Sequence, residues 1–375
     1  MGWDAMHYDD IRRNGYFFHP DFQSTVAFFP VFPYAWKVSG LDVYGISVFN
    51  AIVFFLSVFV FVKSLGGDKK IVLMVLALPS LFFFFLPYSE ALFFLTSVIL
   101  LVGIEKKKLW MACLGFFLCC ISRSAANVFI PAILIMQFLS GPMKETWKNM
   151  LSYTGSALAG IFVVALFQYS QVGVFWGFMQ TQKHWYHKLQ VPQLPYNTWG
   201  DVLQLDTSAL FSGLIAGALI IYFLYQRMVE NRYYTDNAYI FSILYVAGVT
   251  TVAVLFKGNS IYSLNRYVFP TAFFFLFFIR ILPVVRHSTK ALWRYLAAFF
   301  AGWVLVKGFK HLFSFFFHIK EFLSFSGFVS AWLAILFINH PNKYVRMAAF
   351  WGFYGGCLLA QMIYFNHFLQ CEWVG

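Results

Sequence analysis

Six short polar stretches interrupt a chain otherwise rich in Phe, Leu, Val and Ile, and these hold the residues able to do chemistry. The first, Trp3-Asp4-Ala5-Met6-His7-Tyr8-Asp9-Asp10-Ile11-Arg12-Arg13-Asn14-Gly15-Tyr16, reads as a short amphipathic helix stopped by Gly15. At about 100° per residue, Asp4, His7, Tyr8, Ile11 and Gly15 share one face, and Asp9 and Asp10 fall elsewhere as a solvated charged face. Asp4 is then either a helix cap or a functional carboxylate. In Ala27-Phe28-Phe29-Pro30-Val31-Phe32-Pro33-Tyr34 the two prolines oppose helix and favour a stiff extended turn at a membrane interface. Glu90, in Pro87-Tyr88-Ser89-Glu90 between two apolar runs, needs a hydroxyl, a cation or a water-filled cavity as partner.

Arg123, in Ser122-Arg123-Ser124-Ala125-Ala126-Asn127, wants an anion at its depth, either Glu90 or a phosphate. The loop over 171–207 offers Gln180, Gln182, His184, Trp185 and His187, amide and aromatic groups suited to sugar hydroxyls and ring faces. His184 and His187 have the spacing of a metal pair, but one such pair is a weak signal, and no metal site is expected from it. Arg266, in Lys257-Gly258-Asn259-Ser260-Ile261-Tyr262-Ser263-Leu264-Asn265-Arg266-Tyr267, is either a snorkelling cation or an anion clamp. Two arginines with one or more carboxylates point to chemistry on an anionic substrate. No phosphate-binding P-loop, GxSxG, HExxH or DxD motif is present, which argues against nucleotide-driven transport and the common hydrolases.

Composition decides what positions these residues. Of 375 residues 61% are hydrophobic and 11% charged, too few charges for a water-soluble domain, so a bilayer must solvate the surface. The net charge of +12 does not indicate nucleic acid, because the Lys and Arg lie in short loops between apolar runs. Cys113, Cys119, Cys120, Cys357 and Cys371 have no CxxC spacing and read as small apolar fillers.

Runs near 43–62, 71–86, 91–104, 109–122, 126–140, 151–170, 208–225, 238–256, 267–285, 291–307, 322–338 and 345–367 predict an all-α polytopic membrane protein with about 10–12 spans. Residues 1–40 form an extracytoplasmic segment carrying the amphipathic helix, and 41–375 a single membrane domain. The loops at 63–70, 105–108, 141–150, 226–237, 280–294 and 339–346 carry 16 basic residues against 5 acids, so this set is expected to face the cytoplasm. The other set, which holds the polar stretches, then faces out. No cleavable signal peptide opens the chain, and a membrane helix preceding residue 1 is expected.

In order along the chain stand Trp-Asp-Ala…Gly-Tyr at 3–16, Ala-Phe-Phe-Pro-x-x-Pro at 27–33, Tyr-Ser-Glu at 88–90, Ser-Arg-Ser at 122–124 and Arg-Tyr at 266–267. This series resembles the family of the second mannosyltransferase of GPI-anchor synthesis and its bacterial relatives, GT-C glycosyltransferases that use polyprenyl- or dolichyl-phosphate mannose. The resemblance runs from residue 3 to about 270, and its first two motifs are the most specific. The sequence departs from the family in lacking the membrane helix before Trp-Asp, and in reading Ser-Arg-Ser-Ala-Ala-Asn where relatives often read Ser-Arg-x-Asn-Gly.

The resemblance implies a GT-C type fold and an inverting transfer of mannose to a glycan, lipid or protein acceptor on the extracytoplasmic or lumenal face, in a bacterial inner membrane or the endoplasmic reticulum. It makes Asp4 the base and Arg266 and Arg123 the ligands of the donor phosphate. His7, Tyr8, Tyr16, Phe29, Pro30, Tyr88, Ser89, Glu90, Asn127, Gln180, Gln182 and Trp185 would shape the site. No cofactor is expected, since the donor carries its own activated sugar; a divalent metal stays open. Two rivals remain: a GT-C transferase with another lipid-phosphate sugar, and a secondary transporter or lipid-handling protein in which Glu90 and Arg123 form a coupling pair.

Overall fold

The computed structural model describes residues 2–185, 189–192, 198, 202–258, 260–284 and 332–372. Among the described residues every regular element is helical. At the N-terminal end lie α1 (Asp4–Asn14) and α2 (Val31–Ser39). The bundle is built from α3 (Val43–Leu65), α4 (Lys69–Leu76), α5 (Glu90–Glu105), α6 (Leu109–Ser122), α7 (Phe129–Ser140) and α8 (Met143–Val172). After the four-residue turn α9 (Gly177–Gln180) come α10 (Leu203–Val229), α11 (Asn237–Lys257), α12 (Leu264–Val268), α13 (Ala272–Ile281) and α14 (Lys343–Leu369). Caps mark several starts: Asp42 accepts from Gly45 N at 2.7 Å to begin α3, and Asp236 from Tyr239 N at 3.0 Å to begin α11.

Among the described residues five helices are long and apolar enough to cross a membrane: Val43–Leu65, Met143–Val172, Gln204–Val229, Asn237–Lys257 and Lys343–Leu369. The pair Pro79–Phe85 and Glu90–Glu105 passes as a sixth, bent by 101°. Three more apolar helices, Leu109–Ser122, Phe129–Ser140 and Ala272–Val284, are shorter. The described residues thus hold fewer full-length spans than the run count predicts. Window 291–307 and most of 322–338 lie outside them.

Window 71–86 is not one helix. Pro79 supplies no backbone N–H and pushes Leu78 to ψ 135°, so α4 stops and a 3-10 helix, Pro79–Phe85, follows. The extended turn expected at Pro30 and Pro33 is corrected in the other direction. Pro30 caps α2 and Pro33 sits in its first turn, where a missing N–H costs nothing.

Helices α5 and α11 form the buried centre, and α3, α8, α10 and α14 present mostly exposed apolar flanks. Val48, Ile52, Phe55, Leu56 and Phe59 on α3 face outward, a surface that hydrocarbon solvates and water does not. Helix α5 packs closely on α6. A Cβ at Gly103 would stand 2.4 Å from Ala112 N, and one at Gly115 2.4 Å from Leu100 Cα, so the two backbones touch. Small residues permit this approach, which dispersion then stabilises where no hydrophobic drive operates between helices.

The bundle has two chemically different ends. Arg280 stands 3.8 Å from both Glu105, at the end of α5, and Asp236, at the start of α11. Glu90 begins α5 and Lys257 ends α11 at the opposite end, about 30 Å away along α11 at 1.5 Å per residue.

Candidate active site

At the Glu90 end four charged side chains from four separate parts of the chain converge. Asp4 is the first residue of α1, which Trp3 enters at φ 58°. The Asp4 side chain makes no cap; its Oδ2 takes a hydrogen bond from Arg266 Nη1 at 2.5 Å. Arg266 Nε bonds Glu90 Oε1, and Arg123 Nη2 lies 3.5 Å from the same oxygen. Glu90 is fully buried, and both arginines reach its Oε1. Two carboxylates and two guanidiniums balance, which is the condition under which buried charge is tolerated.

Neighbouring groups hold this cluster in place. Asn50 on α3 donates to Leu86 O at 2.6 Å and Tyr88 O at 3.0 Å, fixing the turn before Glu90. Arg266 lies over the rings of Tyr88 and Phe83, with centroids at 4.4 and 5.4 Å. Tyr8 OH donates to Ser89 Oγ at 3.0 Å, and burial followed by the nearby Glu90 and Asp4 charges pushes that phenol's pKa up. Asp206, buried on α10, accepts from Asn265 N at 3.0 Å and Nδ2 at 2.7 Å, and from Thr198 Oγ1 at 2.6 Å. Asn265 Oδ1 in turn accepts from Ser80 Oγ at 2.9 Å, so the residue next to Arg266 is tied to two further elements.

A cavity of about 590 Å³ opens beside the cluster. Asp4, Arg123 and Arg266 line it, together with Tyr8, Phe29, Gln182 and Trp185 among the predicted site residues. Asp4 keeps 20% of its side chain exposed, and among the described residues its Oδ1 has no hydrogen-bond donor. Glu90 does not line the cavity. Gln182 Nε2 is anchored on Phe178 O at 2.8 Å, and Phe29 packs on Phe178 at 5.3 Å.

The remaining predicted residues stand behind the wall or away from it. His7 stacks on Phe28 at 5.0 Å and meets Trp185 edge-on at 5.4 Å. Tyr16 OH donates to Phe28 O at 2.8 Å, and Tyr88 and Ser89 lie beneath Arg266 and Tyr8. Pro30 caps α2 without lining the cavity. Gln180 is exposed and donates to Phe175 O at 3.1 Å, and Asn127 is exposed and lines nothing here. His184 Nε2 bonds Pro20 O at 2.8 Å, and His187 lies outside the described residues; among those described, no group of three metal-binding side chains occurs.

Asp9 departs from its expected place on a solvated face. It is buried between Arg12, whose Nε donates at 2.9 Å, and Arg13, whose Nε also lies at 2.9 Å. Burial works to raise its pKa, but the hydrogen bonds and charges of the two arginines outweigh this and hold it below the usual value. Asp10 is exposed, as expected, and accepts from Asn14.

Sequence reasoning missed Asn50, Ser80 and Asp206. Only Asp206 left a signal, a carboxylate within the apolar run that follows residue 203. It also passed over Lys257 and Ser260, which line the cavity beside Arg123.

Comparison of the chain with protein-family models, curated proteins and solved structures gives no match. Fold and site together define an all-helical, membrane-embedded protein of several passes, with an arginine–carboxylate cluster and a cavity at one end of its bundle.

Proposed function

We propose that the protein is an inverting glycosyltransferase of the GT-C type that moves mannose from a polyprenyl- or dolichyl-phosphate donor to an acceptor hydroxyl. The observation that carries this reading is Asp4, a partly open carboxylate facing a cavity whose other charged walls are cationic: Arg123, Lys183, Lys257 and Arg266. An inverting transfer needs one base, and a phosphate leaving group needs no strong acid. Retaining glycoside hydrolases need two carboxylates facing the sugar, whereas Glu90 is buried and held by two arginines.

In the reaction the acceptor oxygen attacks the anomeric carbon from the face opposite the phosphate. The carbon–phosphate-oxygen bond breaks with its electron pair going to the phosphate, and the acceptor proton passes to Asp4. A singly charged phosphodiester becomes a phosphomonoester with a second charge, and cations already in place stabilise that increase. Trp185, Phe28 and Gln182 offer ring faces and an amide for the sugar. The short loop of lysines at 106–108 stands at the other end, with Glu105 and Arg280, and the tendency of such loops to face the cytoplasm supports a cavity on the opposite side.

The test is incubation of the purified protein in liposomes with labelled polyprenyl-phosphate mannose. Release of mannose to water or to an added membrane acceptor supports the reading. No turnover or binding with any lipid-phosphate sugar, by folded protein, overturns it and favours the transporter. The transporter reading expects paired broken helices, and the described residues hold one bent pair.

A further inference from the structure

The four cations of the cavity are not equally available. Arg266 commits Nε to Glu90 and Nη1 to Asp4, so any anion drawing on it competes with two carboxylates already in contact. Arg123 touches Glu90 only through Nη2; its Nη1 is buried with no hydrogen-bond partner among the described residues. Lys257 makes no ion pair among the described residues: its Nζ donates to a neutral group, Tyr262 O, at 2.7 Å. Asp206, whose charge acts on Lys257, is held by Asn265 and Thr198.

Arg123 and Lys257 both line the cavity, and both stand against the ring of Tyr267. The guanidinium carbon lies 5.1 Å from the centroid of Tyr267 and the ammonium nitrogen 5.5 Å from the same centroid. Ser260, three residues beyond Lys257, also lines the cavity, and its Oγ is buried with no partner among the described residues. A buried guanidinium N–H and a buried hydroxyl without partners are costly unless something in the cavity accepts from them. Gly258, next to Lys257, is at φ +65°, which glycine adopts without strain, and a Cβ there would stand 2.4 Å from Gln190 Nε2.

We propose that Arg123, Lys257 and Ser260 form the site that holds a phosphoryl group, and that Arg266 is a positioning residue that aims Asp4. This divides between two sets of residues a task that both arginines were expected to share. The site deepens the transferase reading, on which it rests for the source of the phosphate: a lipid-linked phosphodiester before transfer and the monoester after it. Two side-chain cations and a hydroxyl donor suit the monoester's extra charge better than the diester's, and that difference helps the bond to break.

The experiment uses the full chain in nanodiscs and measures binding of polyprenyl monophosphate, with the uncharged polyprenol and free inorganic phosphate as separate arms. Wild type is expected to bind the lipid monophosphate over the alcohol. Lys257→Gln and Ser260→Ala are each expected to weaken it, the former by about tenfold or more, with alcohol binding unchanged and Lys257→Arg restoring affinity. Arg266→Lys is expected to keep monophosphate binding while turnover of lipid-phosphate mannose falls, with its pH profile altered. Competition by free phosphate as strong as that by the lipid would overturn a lipid-linked source. Wild-type affinity in both Lys257→Gln and Ser260→Ala would sink the phosphoryl site, even with transfer intact. Conversely, specific monophosphate binding that needs Lys257, by a protein that turns over no lipid-phosphate sugar, would uphold the site and remove the transferase.

Discussion

Asp4 and Arg266 are 262 positions apart and meet through one hydrogen-bonded ion pair, Oδ2 to Nη1. Through Nε the same guanidinium reaches Glu90, so a carboxylate at the cavity wall and one in the core share one cation. The arrangement orients Asp4, which lines the cavity, and among the described residues no donor reaches its Oδ1.

Replacing Asp4 by Asn keeps the size of the side chain and removes its capacity to take a proton. Transfer from lipid-phosphate mannose is expected to fall by about 10²–10⁴-fold, with donor binding retained. Turnover equal to wild type would move the base elsewhere.

Glu90→Gln leaves Arg123 and Arg266 buried with only Asp4 to balance them. Removing one partner of a buried pair costs about 3–5 kcal/mol. The variant is expected to melt well below wild type in detergent. A variant that melts with wild type would show that water enters behind Arg266.

Gly103→Val places a side chain against the Ala112 backbone, whereas at Gly155 on α8 no atom lies within 4 Å of an added Cβ. The Gly103 variant is expected to lose yield and thermal stability, and Gly155→Ala to behave as wild type. Equal behaviour of the two, read by size-exclusion profile and melting, would contradict the direct contact of α5 and α6.

Asp9 gives a pH dependence of defined sign. Its pKa is held below the ordinary value of 3.8, so its pairing with Arg12 and Arg13 stabilises fully above that value and is lost as pH falls through the lower folded one. Wild type is expected to outmelt Asp9→Asn near neutral pH, and the difference to shrink as pH drops from about 5 to about 2. A constant difference across that range would mean the ion pairs contribute nothing.

The charges of the cluster were legible in the sequence because ionisable residues at the ends of apolar runs stand out and cannot be left unpartnered. Glu90, Arg123 and Arg266 stand out on that ground, and Asp4 by the helical face it shares with His7, Tyr8 and Ile11. Their pairing was not legible. Glu90 had hydroxyls, cations and water as open partners, and Arg266 could have snorkelled; the structure gives Glu90 both arginines and Arg266 both carboxylates. Pro33 was misread because a proline opposes helix everywhere except in the first turn, and only the start of α2 at Val31 places it there. Asn50 and Ser80 left no trace, since a neutral polar residue in an apolar run shows its purpose only through a backbone or side chain far along the chain.

The sequence by itself determined the class of molecule: with 61% hydrophobic and 11% charged residues, helices in a bilayer are what satisfies both the side chains and the backbone. It determined also which residues were too polar for their surroundings. Only the tertiary structure decided which of them touch and which remain available. Asp4, Glu90, Arg123 and Arg266 sit on α1, at the start of α5, just past α6 and on α12, and no local periodicity relates such distant positions. Packing of α5 against α6 brings Glu90 and Arg123 to one end of the bundle, and the Asp206–Asn265 tie holds Arg266 beside them, so charge balance is a property of the assembled bundle.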